Sequence, residues 1–351
     1  MRPMRRMSIK TKPEKEYPIM KKIVFSGLRH EHINLLYLNA AKSPELEIAA
    51  ICEENPDALQ AFLAAHPENQ APVYSSLDKM LAEVPCDIVA TGDYYGKRGK
   101  VLIQAMKAGK HVISDKPLCT TPAELDEIEK LARENHLSVG CMLDLRTNDS
   151  FMQARKMILA GEIGKVVQIQ FGGQHPLMLG VRPHWYFEPG KHGGTLNDIA
   201  IHAIDCIPWI TGLEIKTFMA ARTWQAFDSG CDFFNDAAQF MMVMDNGCGV
   251  LGDVSYSEPD SHGYKMPQYW RFTVWGTKGV LEFNSSEKKV CAWIQGETEM
   301  RTIVPAPYTG PQYIDWFLQE IDGKEAALNT SLVLKRARQT LELQRMADGS
   351  K

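Results

Sequence analysis

The sequence predicts an α/β protein: a doubly wound parallel sheet in the first half, joined to an α+β second half rich in strands. Three observations carry this. Short apolar runs alternate with helix-length segments from residue 22 to residue 143, the rhythm of strand, crossover and parallel strand. The first run, Lys22-Ile-Val-Phe-Ser-Gly27, ends in a glycine, as a buried parallel strand does on entering a tight turn. Between Lys216 and Trp293 strand-like segments follow one another instead.

In order, a helix is expected over 30–41 and a strand over Glu47–Cys52, stopping at Glu53-Glu54. Pro56–Ala65 reads as a helix, with proline at its start. Val73-Tyr74 and Leu77–Glu83 repeat the rhythm, and Asp87–Thr91 is the next strand. Arg98–Ala108 is a helix closed by Gly109, His111–Ser114 a strand, Pro122–Asn135 a helix and Leu137–Leu143 a strand. Arg146-Thr-Asn148 begins the crossing to the second domain. There, Ser150–Ala160 reads as a helix, Val166–Gly172 as a strand and His175–Lys191 as an irregular loop. Strands are expected over 216–224, 236–244, 248–256, 270–275 and 279–283, with Asp245-Asn246-Gly247 as a hairpin turn. Ser257–Pro267 reads as a polar loop, and Tyr313–Ile321 and Leu332–Met346 as closing helices. The expected division is an extension over 1–20, a first domain over 21–145 and a second over 146–351.

A chain of 351 residues is long enough for two domains. Its net charge of −4 gives no footprint for nucleic acid or an anionic membrane. Eight cysteines are scattered without a C-x-x-C pair, which argues against a zinc knuckle or disulfide scaffold and points to reduced thiols in cytoplasm. Arg5-Arg6 resembles the start of a twin-arginine signal, but Thr11 to Tyr17 is polar and broken by proline. The extension is therefore read as unfolded rather than as an export signal. No stretch approaches the roughly 20 apolar residues of a membrane helix.

Ligands of a doubly wound sheet bind at the carboxyl ends of its strands. The turn Gly27-Leu28-Arg29-His30 is where a pyrophosphate would meet a helix N-terminus. Of a G-x-G-x-x-G pattern only Gly27 remains, with Arg29 and His32 at the other two places. Arg29 could contact a phosphate through its side chain, or could be a solvated loop residue. Glu53, ending the second strand, suits ribose hydroxyls and repels the extra phosphate of NADP, and Glu54 adds to this. NAD is therefore expected over NADP. Lys116, in Asp115-Lys116-Pro117, follows a strand and can donate to a hydroxyl or carbonyl oxygen in the crevice. In Gly193-Gly194-Thr-Leu-Asn-Asp198-Ile-Ala-Ile-His202-Ala-Ile-Asp205, a helix would place Asp198 and His202 on one face. Histidine accepts and returns protons near neutral pH, and a carboxylate one turn away can orient it; a buried histidine satisfied by a local acid is the alternative. Arg182, His184, Trp185 and Tyr186 are candidates to line a substrate pocket. His184, His192, His202 and Asp198 match no common metal-ligand spacing, and no metal is expected.

With these motifs in view, the chain resembles the glucose–fructose oxidoreductase / inositol dehydrogenase / MocA family from about residue 21 to 345. The resemblance rests on AGKHVISDKP (108–117), Gly161-Glu-Ile-Gly-Lys-Val166, Trp185 with the GG…D…H segment, and Trp275-Gly-Thr-Lys-Gly-Val-Leu281, in that order. It implies an N-terminal Rossmann domain and a C-terminal α+β domain on a large, mostly antiparallel sheet. The open face of that sheet would serve a homodimer or homotetramer. It also implies an NAD(P)-dependent dehydrogenase acting on a sugar, inositol or related polyol. The family's catalytic lysine, aspartate and histidine fall on Lys116, Asp198 and His202. Cofactor contacts are expected from Gly27, Leu28, Arg29, His30, Glu53, Thr91, Asp93, Asp115 and Lys116, and substrate contacts from Arg146, His184, Trp185 and Asn197. The chain departs from the family at Asp115, which replaces a glutamate, and at Ala200, which replaces a glycine. Gly92, Asp93 and Gly96 stand where a proline, an asparagine and a histidine are usual. Two alternatives follow: an enzyme that keeps its NAD for sugar-to-sugar transfer or glycoside cleavage, or a non-catalytic sugar-binding regulator.

Overall fold

A computed structural model of the chain describes residues 20–227 and 229–349. The extension expected over 1–20 lies outside these residues, apart from Met20. The first sheet contains β1 (Lys21–Ser26), β2 (Leu46–Cys52), β3 (Val73–Tyr74), β4 (Ile88–Thr91), β5 (His111–Ser114) and β6 (Val139–Cys141). These strands are parallel, in the order β3-β2-β1-β4-β5-β6. The order reverses between β1 and β4, which opens a crevice at their carboxyl ends. The connecting helices are α1 (Ile33–Lys42), α2 (Pro56–Ala65), α3 (Leu77–Glu83), α4 (Tyr95–Lys107) and α5 (Pro122–Glu134). Side chains of Asn55, Ser76 and Thr121 accept the first free N–H groups of α2, α3 and α5, which explains the abrupt starts of those helices. Helix α1 begins three residues later than expected.

The second half contains α6 (Asp149–Leu159), β7 (Val166–Pro176), α7 (Ile201–Thr211), β8 (Ile215–Trp224), β9 (Ala237–Met244), β10 (Gly249–Glu258), β11 (Arg271–Gly276), β12 (Gly279–Phe283), β13 (Val290–Ile294), β14 (Arg301–Ile303), α8 (Tyr313–Ile321) and α9 (Thr330–Asp348). Its strands form one sheet in the order β14-β13-β12-β11-β7-β10-β9-β8. Only the β7–β10 pair is parallel. The sheet is thus large and mostly antiparallel, and Asp245-Asn246-Gly247 turns between β9 and β10. Strand β7 continues to Pro176, so His175 belongs to the sheet rather than to the loop expected from residue 175. Short β13 and β14 were missed by the sequence reading.

Two apolar cores form, one around each sheet. Residues of α8 and α9, including Phe317, Val333 and Leu341, belong to the first core. A Cβ at Gly140 in β6 would lie 2.8 Å from the Phe317 ring. The expected boundary at residue 145 therefore does not divide the packing, because the chain returns to the first sheet at its C-terminal end.

Candidate active site

The phosphate turn keeps the backbone of its class and replaces the rest. Gly27 has φ +81°, and a Cβ there would meet the Asp93 side chain at 2.5 Å. Arg29 folds over the acids: its guanidinium lies 3.2 Å from Glu53, 2.7 Å from Glu54 and 3.5 Å from Asp93. Glu53 also accepts the N–H groups of Leu28 at 2.7 Å and Asn55 at 2.8 Å, and its side chain is fully buried. The structure thus satisfies the predicted ribose acid from within, leaving Glu54 as the exposed one. Over the turn, the Trp185 indole N–H donates to the Arg29 carbonyl at 3.3 Å, and Gly96 N–H donates to Lys191 O at 2.8 Å. Loop 177–195 of the second half is therefore seated on the carboxyl ends of β1 and β4.

The groups present fit a dinucleotide in kind. The tight positive-φ turn before α1 and the acid ending β2 are in place, and the buried Thr91 hydroxyl at the end of β4 has no hydrogen-bond partner. Engagement of Glu53 by a ribose requires Arg29 to yield its place.

Asp115 lies deeper. His30 Nδ1 is 2.5 Å from Asp115 Oδ2, His32 Nδ1 is 3.3 Å from Oδ1, and Arg98 donates to Oδ2 at 2.7 Å. Burial pushes the Asp115 carboxyl up, but Arg98 and the two histidines outweigh it and hold it well below the ordinary range. Burial pushes His30 down to about 3, and its Nε2 lies 3.1 Å from the Tyr186 hydroxyl and 3.2 Å from that of Tyr95. These hydrogen bonds to Asp115 tie His30 and His32 down ahead of α1, so the helix starts at Ile33. Asp115 therefore anchors the phosphate turn against the Lys116 loop, and its oxygens are not free for a cofactor.

Beside this network is a cavity of about 390 Å³ whose walls include Lys116, Asp198, His202, His175, Arg182 and Trp270. Lys116 Nζ donates to Asp198 Oδ1 at 2.7 Å and to the Asp198 carbonyl at 3.0 Å. The Tyr256 hydroxyl donates to Asp198 Oδ2 in a short hydrogen bond, and His192 Nε2 lies 2.9 Å from that hydroxyl. Gly194 N–H reaches His192 Nδ1, which makes Nδ1 the acceptor and leaves Nε2–H to donate toward Tyr256. Burial pushes the Asp198 carboxyl up, but Lys116 and His192 prevail and hold it well below the ordinary range. Asp198 is thus a fixed anion.

Asp198 and His202 do share the segment expected, but not as one regular helix. Leu196–Ala200 forms a π-helical turn before α7. The N–H groups of Leu196 and Asn197 are capped by Gln344 from α9, at 3.0 and 3.2 Å. Gly194 leaves room for this, since a Cβ there would lie 2.2 Å from the Gln344 side chain. Asp198 turns to Lys116 and Tyr256 and makes no hydrogen bond to His202. The His202 ring packs 4.3 Å from the Trp270 ring centroid. It makes no hydrogen bond to protein among the described residues, yet it lines the cavity. Burial first, then Lys116, lowers its pKa well below the ordinary value, so the imidazole is held in its neutral form.

The residues predicted to bind substrate fare differently. His184 lies at the surface, its side chain 89% exposed. Arg146 is buried against Asp205 through bonds of 2.6 and 2.7 Å, a structural ion pair. Asn197 donates to Cys119 O at 3.0 Å, and Trp185 lies over the phosphate turn. Arg182 and Tyr186 do line the cavity, as do His175, Tyr264, Tyr269 and Trp270, which the sequence reading did not assign. The alternation of β7 was the available signal for His175: it is buried on the same side of the strand as Phe171 and Gly173.

Comparison with known proteins agrees with this architecture. Residues 23–142 match the model described as an oxidoreductase family with an NAD-binding Rossmann fold, and residues 151–282 match the GFO/IDH/MocA C-terminal domain. An uncharacterized oxidoreductase, C115.03 of Schizosaccharomyces pombe, is 28% identical over 54% of this chain and 50% of its own length. Levoglucosan dehydrogenase of Pseudarthrobacter phenanthrenivorans is 24% identical over 61% of this chain and 60% of its own. The chain thus spans about half to three-fifths of these relatives. A solved levoglucosan dehydrogenase in complex with NADH and levoglucosan shares the fold, with a TM-score of 0.77 at 18% identity, covering 94% of this chain and 96% of that one.

The fold is that of the Rossmann-type oxidoreductases. The chain belongs to the GFO/IDH/MocA family.

Proposed function

We propose that the protein is an NAD-dependent dehydrogenase that oxidises an alcohol carbon of a sugar, inositol or related polyol. The observation that carries this is the pairing of a neutral, unpartnered His202 with the Lys116–Asp198 ion pair in one cavity. Glu53, Thr91 and the Gly27–His30 turn would hold the cofactor, with Lys116 beside its reacting end. When bound, NAD supplies the hydride acceptor. His202 takes the hydroxyl proton of the substrate. Lys116 donates a hydrogen bond to the same oxygen and stabilises the charge that develops on it. Asp198, fixed by Tyr256, holds the ammonium group in place and stays ionised. Pocket walls from both halves position the reacting carbon.

The test is a polyol and sugar screen read by formation of reduced nicotinamide, repeated with His202→Ala. Turnover should fall by roughly 10²–10⁴, the usual worth of a general base, while NAD binding stays within a few-fold. Unchanged turnover in the variant removes His202 from this role.

A further inference from the structure

Arg182 is a half-buried cation in the cavity wall with no counter-ion among the described residues. Its Nε donates to Leu177 O at 2.9 Å and its Nη2 to Pro176 O at 2.6 Å. The guanidinium lies over two rings, 4.7 Å from the Tyr186 centroid and 5.0 Å from that of Tyr256. These contacts fix its place but leave Nη1 without a hydrogen-bond partner among the described residues. The three fully buried arginines among the described residues, unlike the half-buried Arg182, each have an acid. Arg98 has Asp115 at 2.7 Å, Arg146 has Asp205 at 2.6 Å and Arg336 has Glu214 at 3.0 Å. No carboxylate among the described residues comes within 4.0 Å of Arg182.

Of the acids in the cavity wall, Asp198 is taken by Lys116 and Tyr256, and none, Glu31 and Asp144 included, comes within 4.0 Å of the guanidinium. On the same wall the buried His175 Nδ1 also has no partner. A half-buried, immobilised guanidinium with one free edge in a cavity wall is placed to meet an anion.

We infer that the substrate is an acidic polyol, an aldonate or a uronate, and that Arg182 binds its carboxylate. This rests on the reading of the cavity as the substrate site of a dehydrogenase. A single unpaired cation matches a singly charged carboxylate better than a phosphate, whose charge near neutral pH approaches two. The volume suits a ligand the size of one monosaccharide.

The experiment is calorimetric titration of the full chain, with and without NAD, using D-gluconate and D-glucuronate against neutral D-glucitol and D-glucose. The acids should bind about 10–100-fold tighter than the neutral compounds, the usual worth of a charge-assisted bond. Arg182→Gln should abolish that preference by weakening the acids alone, and Arg182→Lys should restore part of it. Equal binding of acids and neutral compounds by the unaltered protein overturns the inference, and so does an acid preference that survives Arg182→Gln. Glucose 6-phosphate binding more tightly than either acid overturns it in favour of a phosphate. The readout is binding, so selective acid binding without formation of reduced nicotinamide would count against the dehydrogenase reading and leave the role of Arg182 standing.

Discussion

Lys116 grips Asp198 twice, through the carboxylate at 2.7 Å and through the main-chain carbonyl at 3.0 Å. The first residue stands at the end of a strand of the Rossmann sheet and the second in the π-helical turn before α7. One ammonium group thereby ties the two halves of the molecule together at the point where chemistry is proposed. Breaking one side strands a buried charge, which typically costs about 3–5 kcal/mol. Asp198→Asn should lose stability on that scale in urea denaturation, and adding Lys116→Met should recover part of it. A single variant as stable as the parent would show that the pair is not coupled to folding.

Acid sensitivity should begin early. Burial lowers His30 and His175 to about 3 and also lowers His202. The unfolded chain takes up protons on these rings below about pH 6.5 while the folded chain does not, so stability falls as pH falls through that window. Each ring adds a slope of about 1.4 kcal/mol per pH unit. Asp115 and Asp198, both lowered in the folded state, stabilise above the unfolded carboxyl pKa of about 3.9 and withdraw support only below it. The melting temperature should therefore decline between pH 6.5 and 5, before carboxylates titrate. A flat profile from pH 8 to 5 contradicts this.

Gly27 and Gly109 separate backbone strain from steric conflict. Both have positive φ, +81° and +74°. A Cβ on Gly109 meets nothing within 4 Å, whereas one on Gly27 meets Asp93 at 2.5 Å. Gly109→Ala should cost about 1–2 kcal/mol for the left-handed backbone alone. Gly27→Ala should cost more and should also weaken NAD binding, because Asp93 must move out of the turn. Equal losses measured by chemical denaturation would mean that the close approach carries no weight.

Glu53 is the natural probe of cofactor choice. The parent protein should bind NAD more tightly than NADP, since the three acids Glu53, Glu54 and Asp93 outnumber the two cations, Arg29 and Lys97, paired with them. Glu53→Gln removes a charge and leaves Arg29 with Glu54 and Asp93 alone, so the ratio of the two dissociation constants should shift toward NADP by about tenfold, one charge-assisted contact. Side-by-side titration of both dinucleotides decides it, and an unaltered ratio denies Glu53 any part in the choice.

Much of the fold was legible because local pattern and burial agree within it. Pro56–Ala65, Leu77–Glu83 and His111–Ser114 have the bounds expected of them, since caps, prolines and short apolar runs set those limits through neighbours in the chain. Lys116, Asp198 and His202 could be picked out by residue type and placement at strand ends and turns. Contacts made across the fold could not be read in this way. Nothing in the local sequence says that Asp198 turns to Lys116 and Tyr256 and leaves His202 free, or that Gln344, some 150 residues away, caps the turn between them. Arg146 and Arg182 look alike along the chain. Tertiary packing gives Arg146 an acid and leaves Arg182 without one among the described residues, because only the folded backbone decides which carboxylates come within reach of a given cation.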